Sequence, residues 1–210
     1  MIPSEPTEER QALRARMRAA RALASQKKGL AGLDSANHHL ARLILDRLVE
    51  ADRKNVVAFY MAFGAEPDPS AAFDMVLDAG HLCVLPVVSG EGRPLDFRPW
   101  LPGQPLKKGF AGTMEPLADP DPEAFRPRPS IIVTPLVAFD RKGNRLGLGG
   151  GYYDRTLAER RAGGRVKAVG FAWAEQEVSA VPSQSHDQKL DWIATDEGVI
   201  EVAVEKVRAS

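Results

Sequence analysis

The 210-residue sequence predicts a single three-layer α/β/α domain around a mainly parallel central sheet. Three observations carry that class. The runs "NVVAFYMAF", "HLCVLPVV", "SIIVTPLVAFD" and "RVKAVGFAWA" are apolar without polar alternation, as strands buried on both faces are. Segments of helical periodicity separate them, the alternation that builds parallel crossover units. The length suits one sizeable core and is marginal for two.

In chain order, Thr7 followed by Glu8 and Glu9 predicts a helix start, a cap with acids in the first turn. The helix runs through "RQALRARMRAARALAS" with Leu13, Met17, Ala20 and Ala24 on one face. A second helix is predicted over "SANHHLARLILDRLVEAD", capped at Ser35, with Leu40, Leu43, Ile44 and Leu48 inward. "NVVAFYMAF" is a strand and "GAEPDPS" the loop after it. Ser70 to Ala79 reads as a helix stopped by Gly80, and "HLCVLPVV" as the next strand.

Ten of the 16 prolines lie between Pro86 and Pro129, so about 89–129 is predicted as an irregular excursion holding one short strand, "LDFRPW". Phe97, Trp100, Leu101, Phe110 and Met114 are its expected apolar anchors; the alternative makes 89–129 a lid or subdomain. A strand over 130–138, a glycine loop, a helix from Tyr152 to Arg161, the strand "RVKAVGFAWA" and a closing pair, "DWIAT" and "VIEVAV", complete the domain.

Composition excludes several classes. The 28 basic and 28 acidic residues cancel, so no global field draws the chain to nucleic acid or an anionic membrane. A lone cysteine, Cys83, in an apolar run excludes a disulfide framework and a cysteine-rich zinc site. The polar start "MIPSEPTEER" is not a signal peptide, and no apolar run approaches the ~20 residues of a membrane span. The expectation is a soluble, cytoplasmic monomer acting on small molecules.

The chemistry concentrates in "RLGLGGGYYDR", Arg145 to Arg155. In an open α/β sheet ligands bind where a strand's carboxyl end hands over to a loop and helix. Glycines there let backbone N–H groups approach a phosphate, and the helix N-terminus adds positive potential. The spacing matches neither the dinucleotide fingerprint nor a P-loop, so glycines alone leave a flexible loop and a phosphate cradle equally open. Arg145, able to hold a phosphate with two bonds, and Asp154, able to cap the helix or to bind Mg²⁺, favour the cradle. Elsewhere the plainer readings stand. Arg10, Arg14, Arg18 and Arg21 form a stripe that is ordinarily a solvated face, and Glu66 an ordinarily exposed loop acid. Asp187 beside His186 reads as a polar turn, His38 and His39 as an exposed turn of helix, and Tyr60, Trp100 and Trp173 as core or rim.

"PLVAFDRKGNRLGLGGGYYDR" resembles the signature of the 5-formyltetrahydrofolate cyclo-ligase family. "RQALR", "FYMAFGAEPD", "LPVV", "LDFRPW", "GFAGTMEP" and "GFAWAEQ…VP…HDQKLD" resemble its other segments in order, over roughly 10 to 195. The resemblance implies a Rossmann-like, CoA-transferase-like fold. It also implies an ATP- and Mg²⁺-dependent ring closure of 5-formyltetrahydrofolate to 5,10-methenyltetrahydrofolate. Carried over, it makes Arg145, Leu146, Gly147, Leu148, Gly149, Gly150, Gly151, Tyr152 and Tyr153 the ATP loop, joined by Arg10 and Arg14. Met61, Glu66, Gly149, Gly150, Gly151 and Tyr152 would border the folate. Asp154 and Asp187 would hold the metal, with Arg145, Tyr152 and Asp154 as the catalytic set. Many members carry a lysine where this chain has Gly150, so that cation is absent or comes from elsewhere; the family's N-terminal lysine is Arg10 here. The alternatives are a non-catalytic folate- or nucleotide-binding homologue and an ATP-dependent enzyme for another small acid. Asp154→Ala is expected to abolish turnover with little loss of stability.

Overall fold

The computed structural model describes residues 8–48, 55–117, 126–164 and 166–203. Its centre is β1 (Val56–Ala58), β2 (Leu82–Val88), β6 (Ile131–Pro135), β9 (Lys167–Phe171) and β10 (Trp192–Thr195), all parallel. Two antiparallel strands, β3 (Leu95–Pro99) and β11 (Gly198–Glu201), close the edges, giving the order β11-β10-β9-β6-β1-β2-β3. The unalternating apolar runs are explained by burial on both faces. Val57, Phe59, Cys83, Leu85, Ile131, Val133, Val169, Phe171 and Ala194 face one layer. Ala58, Val84, Ile132, Ala168 and Ile193, one residue out of step, face the other.

The first layer is the 30–48 arm of α1 (Glu8–Leu48) with α2 (Ser70–Asp78), whose Phe73 meets Phe59 with ring centroids 5.2 Å apart. The second holds α3 (Tyr152–Ala162), seated through Leu157. A smaller apolar cluster docks the 8–28 arm of α1, through Leu13 and Met17, on Val137, Ala138, Leu146 and Val181. The three-layer α/β class stands as predicted.

Local differences have physical causes. The first two predicted helices are one element interrupted at Gly29 (φ 55°, ψ −150°), a conformation open essentially to glycine. Ser35 lies inside the helix, and its hydroxyl donates to the Asp196 carbonyl at 2.8 Å instead of capping. The Thr7 cap and the helix end beyond Leu48 lie outside the described residues. The strand predicted over 130–138 ends at Pro135 because the Leu136 carbonyl turns to side chains, Arg21 and Gln176. The chain then forms the two-stranded ribbon β7 (Ala138–Phe139) and β8 (Arg145–Leu146). The excursion contains more structure than its prolines suggest: the edge strand β3, the ribbon β4 (Leu106–Lys108) and β5 (Met114–Pro116), and a 3₁₀ turn, Phe110–Gly112. Of its five expected anchors, Phe97 is buried and Trp100 packs on Phe73, whereas Leu101, Phe110 and Met114 are exposed.

Candidate functional site

From β1 the chain crosses through α2 to β2 on one side; from β6 it crosses through α3 to β9 on the other. β1 and β6 are neighbours, so the strand order reverses between them and a crevice opens beyond their carboxyl ends. Two segments flank it: 59–69, carrying Met61 and Glu66, and 136–151, carrying the glycine loop.

The glycine loop is anchored at its base and open at its tip. Asp140, buried, accepts bonds from the backbone N–H groups of Lys142, Asn144 and Val181 and from the Asn144 amide. The loop rises from β8 with Leu148, Gly149 and Gly150 exposed. Gly151 (φ 65°) turns the chain in the left-handed region directly into α3, where no side chain caps the helix. The first N–H groups of α3 therefore keep the anion-binding capacity of an open helix N-terminus.

The arginine stripe is not a solvated face. Arg10, Arg14 and Arg21 are buried and only Arg18 of the four is exposed. The docked 8–28 arm turns them over the crevice. Arg14 Nε donates to the Gly147 carbonyl at 2.9 Å, and its guanidinium lies beside Gly149. Burial, then the neighbouring Arg10 and Arg18, lower its pKa. Arg10 donates to Asp187 at 2.7 Å and to the Pro182 carbonyl at 2.8 Å. Arg21 reaches Glu66 at 3.2 Å and the Leu136 carbonyl at 3.3 Å.

Arg145 is not the outstretched hand its position suggested. Its side chain is 4% exposed and donates to Asp154 Oδ1 at 2.9 Å and to the Gln188 carbonyl at 2.6 Å. Burial pulls its pKa down, opposed by Asp154 and Asp187. Asp154 Oδ1 also accepts the Gln188 N–H at 3.0 Å, so Asp154 fastens α3 to the 187–188 turn rather than capping its own helix. Asp187 is held by Arg10 and by the Gln184 N–H. His186 is exposed, 3.8 Å from Asp187.

One turn therefore gathers Asp154 and Asp187. Among the described residues no group of three or more His, Cys, Asp or Glu could enclose a metal ion. Mg²⁺ needs less protein than that, since it is commonly held by one or two carboxylates with phosphate oxygens and water. Asp154 Oδ2 accepts no hydrogen bond from a described residue, so the donor set fits such an ion.

Across the crevice, Glu66 is buried rather than exposed, and the Phe63 N–H donates to its Oε2 at 3.0 Å. Burial raises its pKa, opposed by that N–H and by Arg21. Met61 is half-buried against the core. The Tyr60 hydroxyl donates to the Pro67 carbonyl at 2.7 Å, fixing the loop. Tyr153 has its pKa pushed well up by burial and by the nearby Glu66. Trp173 is a core residue and Cys83 an inert buried thiol.

Three residues stand at the site without having been expected there. Arg21 was hidden in the stripe. Phe110 brings its ring to 6.0 Å from that of Tyr152, so the proline-rich excursion reaches the glycine loop. Arg155 lies over the ring of the same tyrosine at 5.0 Å and donates to the Gly150 carbonyl at 2.6 Å, a guanidinium beside the position where the resemblance leads one to expect lysine. An exposed aromatic in a proline-rich stretch was the available signal for Phe110.

The family model described as the 5-formyltetrahydrofolate cyclo-ligase family matches residues 6–196. The 5-formyltetrahydrofolate cyclo-ligase of Haemophilus influenzae is 33% identical over 185 residues, 88% of this chain and 96% of that protein. That of Escherichia coli K12 is 32% identical over 148 residues, 70% and 81%. Among solved structures, Aquifex aeolicus 5,10-methenyltetrahydrofolate synthetase superposes with a TM-score of 0.71 at 28% identity, covering 96% of both chains. The Mycoplasma pneumoniae synthetase, at 20% identity and a TM-score of 0.56 over 86% of this chain, shares the fold.

Proposed function

The chain belongs to the 5-formyltetrahydrofolate cyclo-ligase family, and on that premise we propose that it closes 5-formyltetrahydrofolate to 5,10-methenyltetrahydrofolate with conversion of ATP to ADP and phosphate. The observation that carries the reading is convergence at the topological switch. The Glu66 loop, the glycine loop with the open end of α3, and the buried arginines of α1 all meet there.

The chemistry is a two-step exchange of leaving groups. The formyl oxygen attacks the γ-phosphorus, the bond to the β-phosphate oxygen breaks, and ADP leaves. N10 then attacks the activated carbon, the carbon–oxygen bond breaks, phosphate departs and the N10 proton is lost. An amide oxygen is a poor leaving group and its phosphate ester a good one. The protein's task is positioning and charge neutralisation.

The residues suit that task in the following roles. Gly147, Gly149, Gly150 and Gly151 offer backbone N–H groups to the phosphates, with Leu146, Leu148, Tyr152 and Tyr153 shaping the loop. Arg14 and Arg10 supply positive charge from α1, and Arg155 stands in beside Gly150. Arg145 acts from behind, holding Asp154 in place. Glu66 accepts a hydrogen bond from the pterin or the N10 side, with Met61 as an apolar wall and Tyr152 bordering the folate. Asp154, with Asp187, would hold Mg²⁺, which supplies neutralisation of phosphate charge when bound.

We read the protein as a cytoplasmic monomer working on these two small molecules. No helix among the described residues is long and apolar enough to cross a membrane. Mixing the protein with MgATP and 5-formyltetrahydrofolate is expected to raise the near-UV absorbance of the methenyl product, with one ADP and one phosphate released per ring closed. Chelation of the metal with EDTA is expected to stop it, and added Mg²⁺ to restore it. Folate binding without any absorbance rise or ADP release would sink the reading.

A further inference from the structure

Of the buried arginines on α1, Arg21 alone reaches neither the glycine loop nor the 182–188 turn. It is 7% exposed, and one nitrogen, Nη1, donates both to Glu66 Oε1 at 3.2 Å and to the Leu136 carbonyl at 3.3 Å. Glu66 belongs to the loop that follows β1; Leu136 is the first residue beyond β6. A nitrogen from a third element thus ties together the two walls of the crevice. The Leu136 carbonyl also takes the Gln176 amide at 2.9 Å, so the far end of the tie is held independently. The near end, Oε2 of Glu66, is held by the Phe63 N–H.

The groups around Glu66 are Tyr60 and, two residues on, Asp68 from its own loop, Tyr153 from α3 with Arg145 beyond it, and Arg21 from α1. Arg21 is the cation that touches it. A carboxylate this buried keeps its charge only when paired or well bonded.

We infer that Arg21 is a positioning residue for the folate half of the site: it holds the Glu66 carboxylate at a set separation from the glycine loop. This inference rests on the proposed function for what Glu66 contacts, though the pairing itself can be tested without substrate. Arg21 touches neither nucleotide nor folate in this role. It acts through Glu66, and its loss separates the two substrates kinetically.

The test is Arg21→Met beside Arg21→Lys. In Arg21→Met, kcat/KM for 5-formyltetrahydrofolate is expected to fall about 10–100-fold, the value of a charge-assisted hydrogen bond, while KM for ATP stays near wild type. The acid limb of the pH–rate profile moves to higher pH, because an unpaired buried carboxylate keeps its proton longer. Arg21→Lys restores the charge without the double contact, so it recovers the limb more fully than kcat/KM. A readout independent of turnover is the Glu66 carboxyl titration by ¹³C NMR, assigned with Glu66→Gln; its midpoint rises in Arg21→Met. A folded Arg21→Met protein with an unchanged Glu66 midpoint and unchanged folate KM overturns the inference, as does an equal loss for ATP and folate. If Arg21→Met does not fold, Arg21→Lys and Arg21→Gln carry the same comparison. If the wild-type protein shows no cyclo-ligase turnover, the proposed function fails, while the midpoint comparison still decides whether Arg21 governs Glu66.

Discussion

Asp154 is engaged twice through one oxygen, to Arg145 and to the Gln188 N–H, and its other oxygen accepts no hydrogen bond from a described residue. Removing the side chain therefore does more than remove the carboxylate proposed to hold Mg²⁺. Asp154→Ala leaves the Arg145 guanidinium buried without its carboxylate, at a cost of about 1–3 kcal/mol, contrary to the small loss the sequence suggested. Asp154→Asn keeps an acceptor for Arg145 and Gln188. Urea denaturation should find the Asn variant closer to wild type than the Ala variant, with both inactive in the methenyl assay. A stable but active Asn variant would remove Asp154 from the metal site. Cys83 is a free thiol buried in β2. Burial pushes its thiol from 9.0 up to about 12, so the fold favours the protonated form. The sign follows: this contribution to stability is intact below about pH 9, declines as the pH rises above it, and is gone by about pH 12. A Cys83→Ala variant is expected to lose less stability between pH 8 and pH 10 than wild type, judged by urea midpoints. In native buffer Cys83 should resist Ellman's reagent until the protein unfolds.

At the scale of elements, the break at Gly29 decides where three arginines go. With an ordinary helical residue there, α1 tends to continue straight, and the 8–28 arm loses its dock on Val137, Ala138 and Leu146. Gly29→Ala, with open space around its new Cβ, suffers backbone strain of about 1–3 kcal/mol. It is expected to lower the melting temperature and to raise KM for both substrates together, unlike Arg21→Met. Helix and strand positions were legible because periodicity is a local property, and most predicted elements lie within a few residues of the observed ones. The break was misplaced because serine at the head of an apolar run is a good local cap, and only the contact with Asp196 shows why Ser35 sits mid-helix. The burial of Arg10, Arg14 and Arg21 was illegible for a similar reason. Their partners lie 45 to 177 residues away, and a stripe of arginines looks the same in sequence whether it meets water or a crevice.

For the whole molecule, the switch of strand order between β1 and β6 makes function depend on long-range geometry. The glycine motif and its ordered companions pointed to the family, and the sheet order places that motif beside the switch point. In hydrogen exchange, amides of β1, β6 and β9, paired on both sides, are expected to exchange slowest, and those of the edge strands β3 and β11 fastest within the sheet. ATP with 5-formyltetrahydrofolate should slow exchange in 59–69 and 147–154, loops drawn together by their ligands. The bond from Arg10 to Asp187 spans 177 positions, and it bears on how the protein is made. As the ribosome delivers the chain, α1 precedes these partners of its arginines: Glu66 follows first, then Gly147, and Pro182 and Asp187 last. A nascent chain arrested before Pro182 can pair β3, β2, β1, β6 and β9 and still lack the carbonyl and the carboxylate that Arg10 meets, so this contact forms only after both loops at the switch point have been made.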